Sequence, residues 1–251
     1  MTDEHPLSEV KVWDRSIRVF HWVNVLCVLA LMIIGSAILY ANALGISSDG
    51  KITLKIMHAY IGYVFAFNLI WRLVWGFVGS RFARWRAVVP FGPGYVGELK
   101  AWWQGLRSGQ APTDPGHNPV AKLMLLALYT LLIGQMCTGL VLAGTDLYFP
   151  PFGHEFAEWA TGAGEDHSRL VGLVPGAKEM LDPEGYAAMR TFREPFIALH
   201  KLFFWFMLGA GFLHIAAVII DEIRHGNGIL SAMITGKKII RRNVPGDANA
   251  E

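Results

Sequence analysis

Charge is scarce in this chain, and so is cysteine. Asp, Glu, Lys and Arg supply 17% of its 251 residues, where an ordinary soluble domain carries about 25%. The formal net charge is only +2, and no basic stripe interleaved with aromatics offers a grip on nucleic acid. The two cysteines, Cys27 and Cys137, form no C-x-x-C or C-x-x-C-H pattern. That excludes cysteine-ligated iron–sulfur clusters and covalently attached c-type haem, and leaves both thiols as buried, reduced, structural residues. There is no internal repeat and no low-complexity segment. A cleavable signal peptide is not expected, because residues 1–12 are polar, with Asp3, Glu4 and Glu9, and the first apolar run is too long for a signal h-region.

Apolar residues are what the chain has in excess, at 53%. They gather into runs long enough for the roughly 20 residues a helix needs to cross a bilayer. Four spans are expected, over about 19–40, 52–78, 121–144 and 196–220. The fold class is therefore an all-α integral membrane protein with four transmembrane helices in a bundle, forming one domain over 1–251. Lys11, Arg15 and Arg18 precede the first span, Arg81, Arg84, Arg86, Lys100 and Arg107 follow the second, and Arg224, Lys237, Lys238, Arg241 and Arg242 follow the fourth. By the positive-inside rule both termini are cytoplasmic. The acidic outer loop, 145–195, then faces the opposite side, the periplasm of a Gram-negative bacterium.

The connection after span two holds the turn residues Pro90, Gly92, Pro93 and Gly94, then an amphipathic stretch, Tyr95 to Gly105. Its Trp102 and Trp103 suit the headgroup region, so the stretch is expected on the membrane surface. The outer loop is rich in proline and glycine, with one helical candidate near Pro183 to Phe192. A loop of that size offers a docking surface.

Ionisable side chains inside a bilayer are costly and usually functional. Four histidines lie in or at the spans. His21 is near the cytoplasmic start of span one, His58 near the outer start of span two, His200 where span four enters from outside, and His214 further along it. Depth pairs His21 with His214 and His58 with His200. The 14 residues from His200 to His214 correspond to a rise of about 21 Å and a rotation about 40° short of whole turns. Both imidazoles look into one interior near opposite surfaces. A lone histidine there reads as a hydrogen-bonded core residue; four at matched depths read as axial ligands of two six-coordinate haems.

A porphyrin between helices needs small residues beside it. Gly35 follows His21 by 14 residues, Gly76 follows His58 by 18, and Gly62 and Gly211 sit one turn from His58 and His214. Each alone also fits plain helix packing. Haem propionates need basic partners: Arg15 and Arg18 lie near the inner site, Lys55 and Lys201 near the outer one, and Arg72, within span two, is placed to meet a propionate or a quinone carbonyl. His5, His117, His154, His167 and His225 are expected at the surface, with His117 and His225 on the side where protons for a quinone would be handled.

Ile17-Arg-Val-Phe-His-Trp22, Leu54-Lys-Ile-Met-His-Ala59, Arg72 with Trp75-Gly-Phe-Val-Gly-Ser-Arg81, Gly116-His-Asn-Pro-Val-Ala121, the His200/His214 interval and the tail Ile229-Leu-Ser-Ala-Met-Ile-Thr-Gly236 together resemble the b-type cytochrome subunit of nickel-iron hydrogenases, within the wider bacterial cytochrome b561 superfamily. The chain departs from that pattern in a longer, more acidic outer loop and at Phe196 and Ile197, where some members have a further histidine. The resemblance implies a multi-pass protein of the bacterial inner membrane. Two haems b would pass electrons between a periplasmic partner (a hydrogenase, another dehydrogenase or a c-type cytochrome) and the quinone pool. The alternatives are a stand-alone quinone-linked oxidoreductase acting on a small substrate such as superoxide, and a metal transporter. The transporter reading calls for acids within the spans and discontinuous helices.

Overall fold

The computed structural model describes residues 7–108, 116–164, 166–177, 179–225 and 228–241. His5 and Glu165 lie outside the described residues, as does the side chain of His225. In chain order the elements are β1 (Leu7–Lys11), α1 (Arg15–Leu39), α2 (Ser48–Val78), α3 (Trp85–Val88), α4 (Tyr95–Arg107), α5 (Pro119–Leu147), α6 (Gly153–Thr161), a 3-10 turn (His167–Leu170), α7 (Pro183–His225), α8 (Ile229–Thr235) and β2 (Lys237–Arg241). Helices α1, α2, α5 and α7 are long and apolar enough to cross a membrane.

Each of these four starts at a side-chain cap. Asp14 Oδ1 accepts from the Ile17 amide at 2.9 Å, Ser47 Oγ from Gly50 at 3.1 Å, Asn118 Oδ1 from Ala121 at 2.7 Å and Asp182 Oδ2 from Gly185 at 2.7 Å. In α5 and α7 a proline fills the first helical position, where its missing N–H costs nothing. The caps explain why the helices begin up to four residues before the apolar runs at α1 and α2. Helix α7 begins earlier still: the segment expected as a separate helix near Pro183 to Phe192 continues through Pro195 into the span. Outward faces carry large bare side chains, with Ile33 70%, Phe67 76%, Phe77 75% and Phe212 72% exposed. Water would not tolerate apolar surface on that scale, whereas lipid favours it. Cys27 is buried as expected, but Cys137 lies on the exposed face of α5. The expectation of burial was wrong for that thiol because its side of the helix is one of these outward faces.

The chain divides into two compact units. One comprises residues 1–22, 71–129 and 209–251. Here β1 and β2 pair antiparallel, from Leu7 opposite Arg241 to Lys11 opposite Lys237, a small ribbon absent from the all-α expectation. Beside it Val12, Trp13, Ile17, Ala83 and Ala232 form a buried core, packed against Trp75, Phe82 and Met233. The amides of Val12 and Trp13 both donate to the Gly236 carbonyl, at 2.9 and 3.1 Å. Gly236 has φ +86°, and a Cβ there would meet the Trp13 carbonyl at 2.6 Å, so only glycine closes this turn. Helix α4 buries no residue and shows Trp103 half exposed beneath the Arg107 guanidinium, 5.4 Å above its ring. That is the form of a helix lying in the headgroup layer.

The other unit comprises residues 23–70 and 130–208, with segments of all four long helices and α6. Gly134 lets α5 approach α7 closely, since a Cβ there would lie 2.6 Å from the Phe203 ring. Helix α6 is anchored by Phe156 and Trp159, whose rings pack on Phe192 of α7 at 5.7 and 5.5 Å.

Candidate cofactor site

His58 of α2 and His200 of α7 line a largely apolar cavity of about 400 Å³. Their ring centroids are 6.2 Å apart and the rings are nearly perpendicular, at 74°. Gly35 and Gly62 line the same cavity. A Cβ on Gly35 would stand 3.3 Å from His58 Cε1, whereas nothing lies within 4 Å of one on Gly62. Gly139, on α5, takes the matching place beside His200, at 3.4 Å from Cε1.

The tautomer of the neutral His200 ring follows from its neighbour. Thr138 Oγ1 lies 2.8 Å from His200 Nδ1 and also 2.7 Å from the Gly134 carbonyl oxygen. A carbonyl only accepts, so the single hydroxyl hydrogen goes to Gly134 and Nδ1–H of His200 donates to Thr138. Nε2 is then the nitrogen with a free lone pair, as an iron ligand requires. The His200 carbonyl also accepts from Gln135 Nε2 at 3.3 Å, so α5 holds this turn of α7 at two points.

At one end of the cavity Asp146 accepts from Lys55 at 2.7 Å and from Arg193 at 2.6 Å. Lys201 lines the same cavity. Two cations share one carboxylate, which leaves net positive charge, and the Arg193 Nε is enclosed without a protein partner. Sequence reasoning named Lys55 and Lys201 here but missed Arg193, Asp146 and Thr138. Arg193 lies seven residues before His200, two turns along one helix face, and that spacing was the available signal.

These residues fit a bis-imidazole haem. Two metal–nitrogen bonds of about 2.0 Å, with about 1.1 Å from each nitrogen to its ring centre, put the centroids roughly 6.2 Å apart. The observed 6.2 Å agrees. Apolar walls and glycines suit a porphyrin, and the cations suit its propionates.

The second pair lies in the other unit. His21 and His214 are close enough for their charges to interact. The Nδ1 of His21 is enclosed and unpartnered, as is the Nε of Arg18, while the Arg18 Nη1 donates to the Ile234 carbonyl. Trp22 stands edge-on to His21 at 5.2 Å and donates to the Met233 carbonyl at 3.0 Å. A buried guanidinium N–H with no protein acceptor fits a propionate. Nothing lies within 4 Å of a Cβ built on Gly211, so that side is open.

Gly76 and Arg72 serve a different local arrangement. A Cβ on Gly76 would be 2.3 Å from the Trp85 indole, so Trp85 occupies the space beside it. The buried Arg72 guanidinium lies 5.0 Å from the Trp85 ring centre and 5.5 Å from that of Tyr129, and donates to the Ala83 carbonyl at 3.0 Å. His117, expected at the surface, is tucked in with its Nδ1 enclosed and its ring 4.7 Å from that of Trp13. Burial first, then Arg72, Lys238, Lys122 and His214, push its pKa down to about 3. The surface expectation failed because the turn Gly116–Pro119 folds inward beneath Trp13. His154 and His167 are exposed, as expected.

Imidazoles paired across an apolar cavity, on helices built for a bilayer, define a membrane haem protein of the b class. The sequence pattern described as Prokaryotic cytochrome b561 matches residues 12–236, and the chain belongs to that family. It is thus a membrane b-type cytochrome of electron transport. It is similar to the probable Ni/Fe-hydrogenase 1 B-type cytochrome subunit of Escherichia coli strain K12, 29% identical over 62% of this chain and 71% of the relative. The probable Ni/Fe-hydrogenase B-type cytochrome subunit of Rhizobium leguminosarum bv. viciae is 26% identical over 93% and 90%, and that of Cupriavidus necator 22% over 96% and 93%. No solved structure matches significantly.

Proposed function

We propose that this chain is the two-haem cytochrome subunit of a hydrogenase-type complex, linking a periplasmic redox partner to the quinone pool across the inner membrane. His58 and His200 hold the outer haem b, and His21 and His214 the inner one. The observation that carries the reading is the 6.2 Å spacing of the His58 and His200 rings, with Thr138 presenting the Nε2 lone pair of His200. A bis-imidazole haem b carries one electron with little rearrangement.

The protein's own part is to hold and insulate. Thr138 and Gln135 fix the orientation of His200. Gly35, Gly62 and Gly211 leave room between helices. Lys55, Arg193 and Lys201 supply positive charge for the outer propionates, and Arg18 does so for the inner ones. Arg72, clamped under Trp85 and beside Tyr129, secures the inner end of α2. Both termini are cytoplasmic on this reading, because the basic residues of β2 and of the segment after α2 lie on the side of His21. The relatives' names support a hydrogenase as partner. Continuous helices over Arg15–Leu39, Ser48–Val78, Pro119–Leu147 and Pro183–His225 speak against a transporter, whose substrate sites use broken ones.

The test is reduction of the purified chain by a quinol analogue, followed in the visible bands of haem b. Rapid reduction that stops when the inner pair is disabled by His214→Ala supports the assignment. Reduction unaffected by that change would place quinone elsewhere.

A further inference from the structure

Among the described residues, one cluster outside the paired histidines of the spans brings together three metal-ligating groups. His154 and Glu158 stand one turn apart on α6, and His167 opens the 3-10 turn that follows. His154 Nε2 lies 3.3 Å from Glu158 Oε1, and His167 Nδ1 lies 3.6 Å from the same oxygen. The two imidazoles are nearly parallel, at 12°, with centroids 5.1 Å apart. All three donor atoms fall within 4.8 Å of one another.

These separations are poor for hydrogen bonds, which run about 2.7–3.2 Å between nitrogen and oxygen. They are close to the edges of a coordination polyhedron. Metal–ligand bonds of about 2.0–2.1 Å at tetrahedral angles set neighbouring donors about 3.3 Å apart. A carboxylate oxygen between two imidazole nitrogens is also a familiar donor set for zinc, with water completing the shell.

Packing and hydrogen bonds hold the supports. Helix α6 buries Ala157, Ala160 and Thr161, which leaves His154 and Glu158 on its outer side. The 3-10 turn is capped by Asp166, whose carboxylate accepts from the Ser168 amide at 3.2 Å. It is tied to the end of α6 by Arg169, which donates to the Gly162 carbonyl at 3.0 Å. His167 is thereby held against α6, so less ordering is left for a metal to impose.

We infer that His154, Glu158 and His167 form a binding site for a divalent transition ion of the zinc class, which cross-links α6 to the turn at 167–170. The site is independent of the haem assignment, since it shares no residue with either histidine pair. Neutral imidazoles and a carboxylate favour zinc or copper over magnesium or calcium.

The experiment uses the full chain with its haem, purified in detergent, stripped with a chelator and titrated with zinc chloride against a chromophoric competitor. Zinc K-edge absorption then reads the ligands. One zinc per chain, with nitrogen and oxygen ligands at about 2.0–2.1 Å and the outer scattering of two imidazoles, is expected. His154→Ala and His167→Ala should each weaken binding by more than the about 10- to 100-fold typical of losing an outer-shell partner, and Glu158→Gln should weaken it as well. The haem spectrum of each variant, unchanged, shows that the fold has survived. No bound zinc, or zinc held equally well by the His154→Ala/His167→Ala double variant, overturns the site.

Discussion

Thr138 donates its hydroxyl hydrogen to the Gly134 carbonyl, 2.7 Å away, and therefore receives the Nδ1–H of His200, 2.8 Å away. One threonine on α5 thus sets the tautomer of a histidine on α7. Thr138→Val removes the acceptor while keeping the volume, and outer-shell partners of metal-ligating histidines are worth about 10- to 100-fold in affinity. The expected result is faster loss of one haem b and a shifted midpoint potential for that haem, with Thr138→Ser restoring both. A potentiometric titration of the visible bands reads the effect; two unchanged midpoints would show that the tautomer is held by something else.

The open glycines and the filled one should behave differently. Gly62→Leu projects into the cavity shared by His58 and His200, so it should expel one haem while the chain still inserts and purifies. Gly76→Ala instead drives a methyl into the Trp85 indole, and overpacking of this kind costs about 1–3 kcal/mol. It should lower the thermal midpoint in detergent without selectively removing either haem.

Asp146 binds two cations, with side chains 28% exposed at Lys55 and 11% at Arg193. Asp146→Asn strands both charges, and breaking a well-buried pair costs about 3–5 kcal/mol; partial exposure reduces that here. The expected outcome is a lower thermal midpoint for the haem-free protein, partly recovered on adding haem. Equal loss with and without haem would argue that these cations serve only Asp146.

Acid should destabilise the unit that holds His117. Its pKa is pushed down to about 3 from 6.5, so the unfolded chain binds a proton over that window and the folded chain does not. Stability conferred by keeping this imidazole neutral is complete above 6.5 and declines as the pH falls toward 3. His117→Gln cannot take up that proton and should flatten the decline. Thermal midpoints of the two proteins from pH 7 down to about 4 test this, and parallel curves would contradict it.

The spans were legible because lipid solvation demands long apolar runs, and hydropathy reports nothing else so directly. Their ends were not, because Ser48–Lys51 is polar and Pro183–Arg193 mixes Glu184, Arg190, Thr191 and Arg193 with its apolar residues, so both become helical through caps at Ser47 and Asp182 and, at Arg193, an ion pair. The last span was expected from 196, just after the outer loop 145–195, yet α7 runs on through Pro195, since a proline removes one backbone donor and need not stop a long, packed helix. The pairing of β1 with β2 joins residues more than 200 apart in a pattern half of which is charged, which no local period reveals. The spacing that put Gly76 on the His58 face was geometrically sound, but it could not show that Trp85 would fold back into that space. Thr138 was visible only as one hydroxyl in an apolar run; its meaning depends on which turn of α7 it faces, and the close approach at Gly134 decides that.

The most direct test is haem counting. A pyridine haemochrome assay against protein concentration should give two haems b per chain, falling to one with His58→Ala or His200→Ala, and to one with His21→Ala or His214→Ala. A chain that binds no haem, or that keeps both haems when His58 and His200 are replaced together, contradicts the assignment.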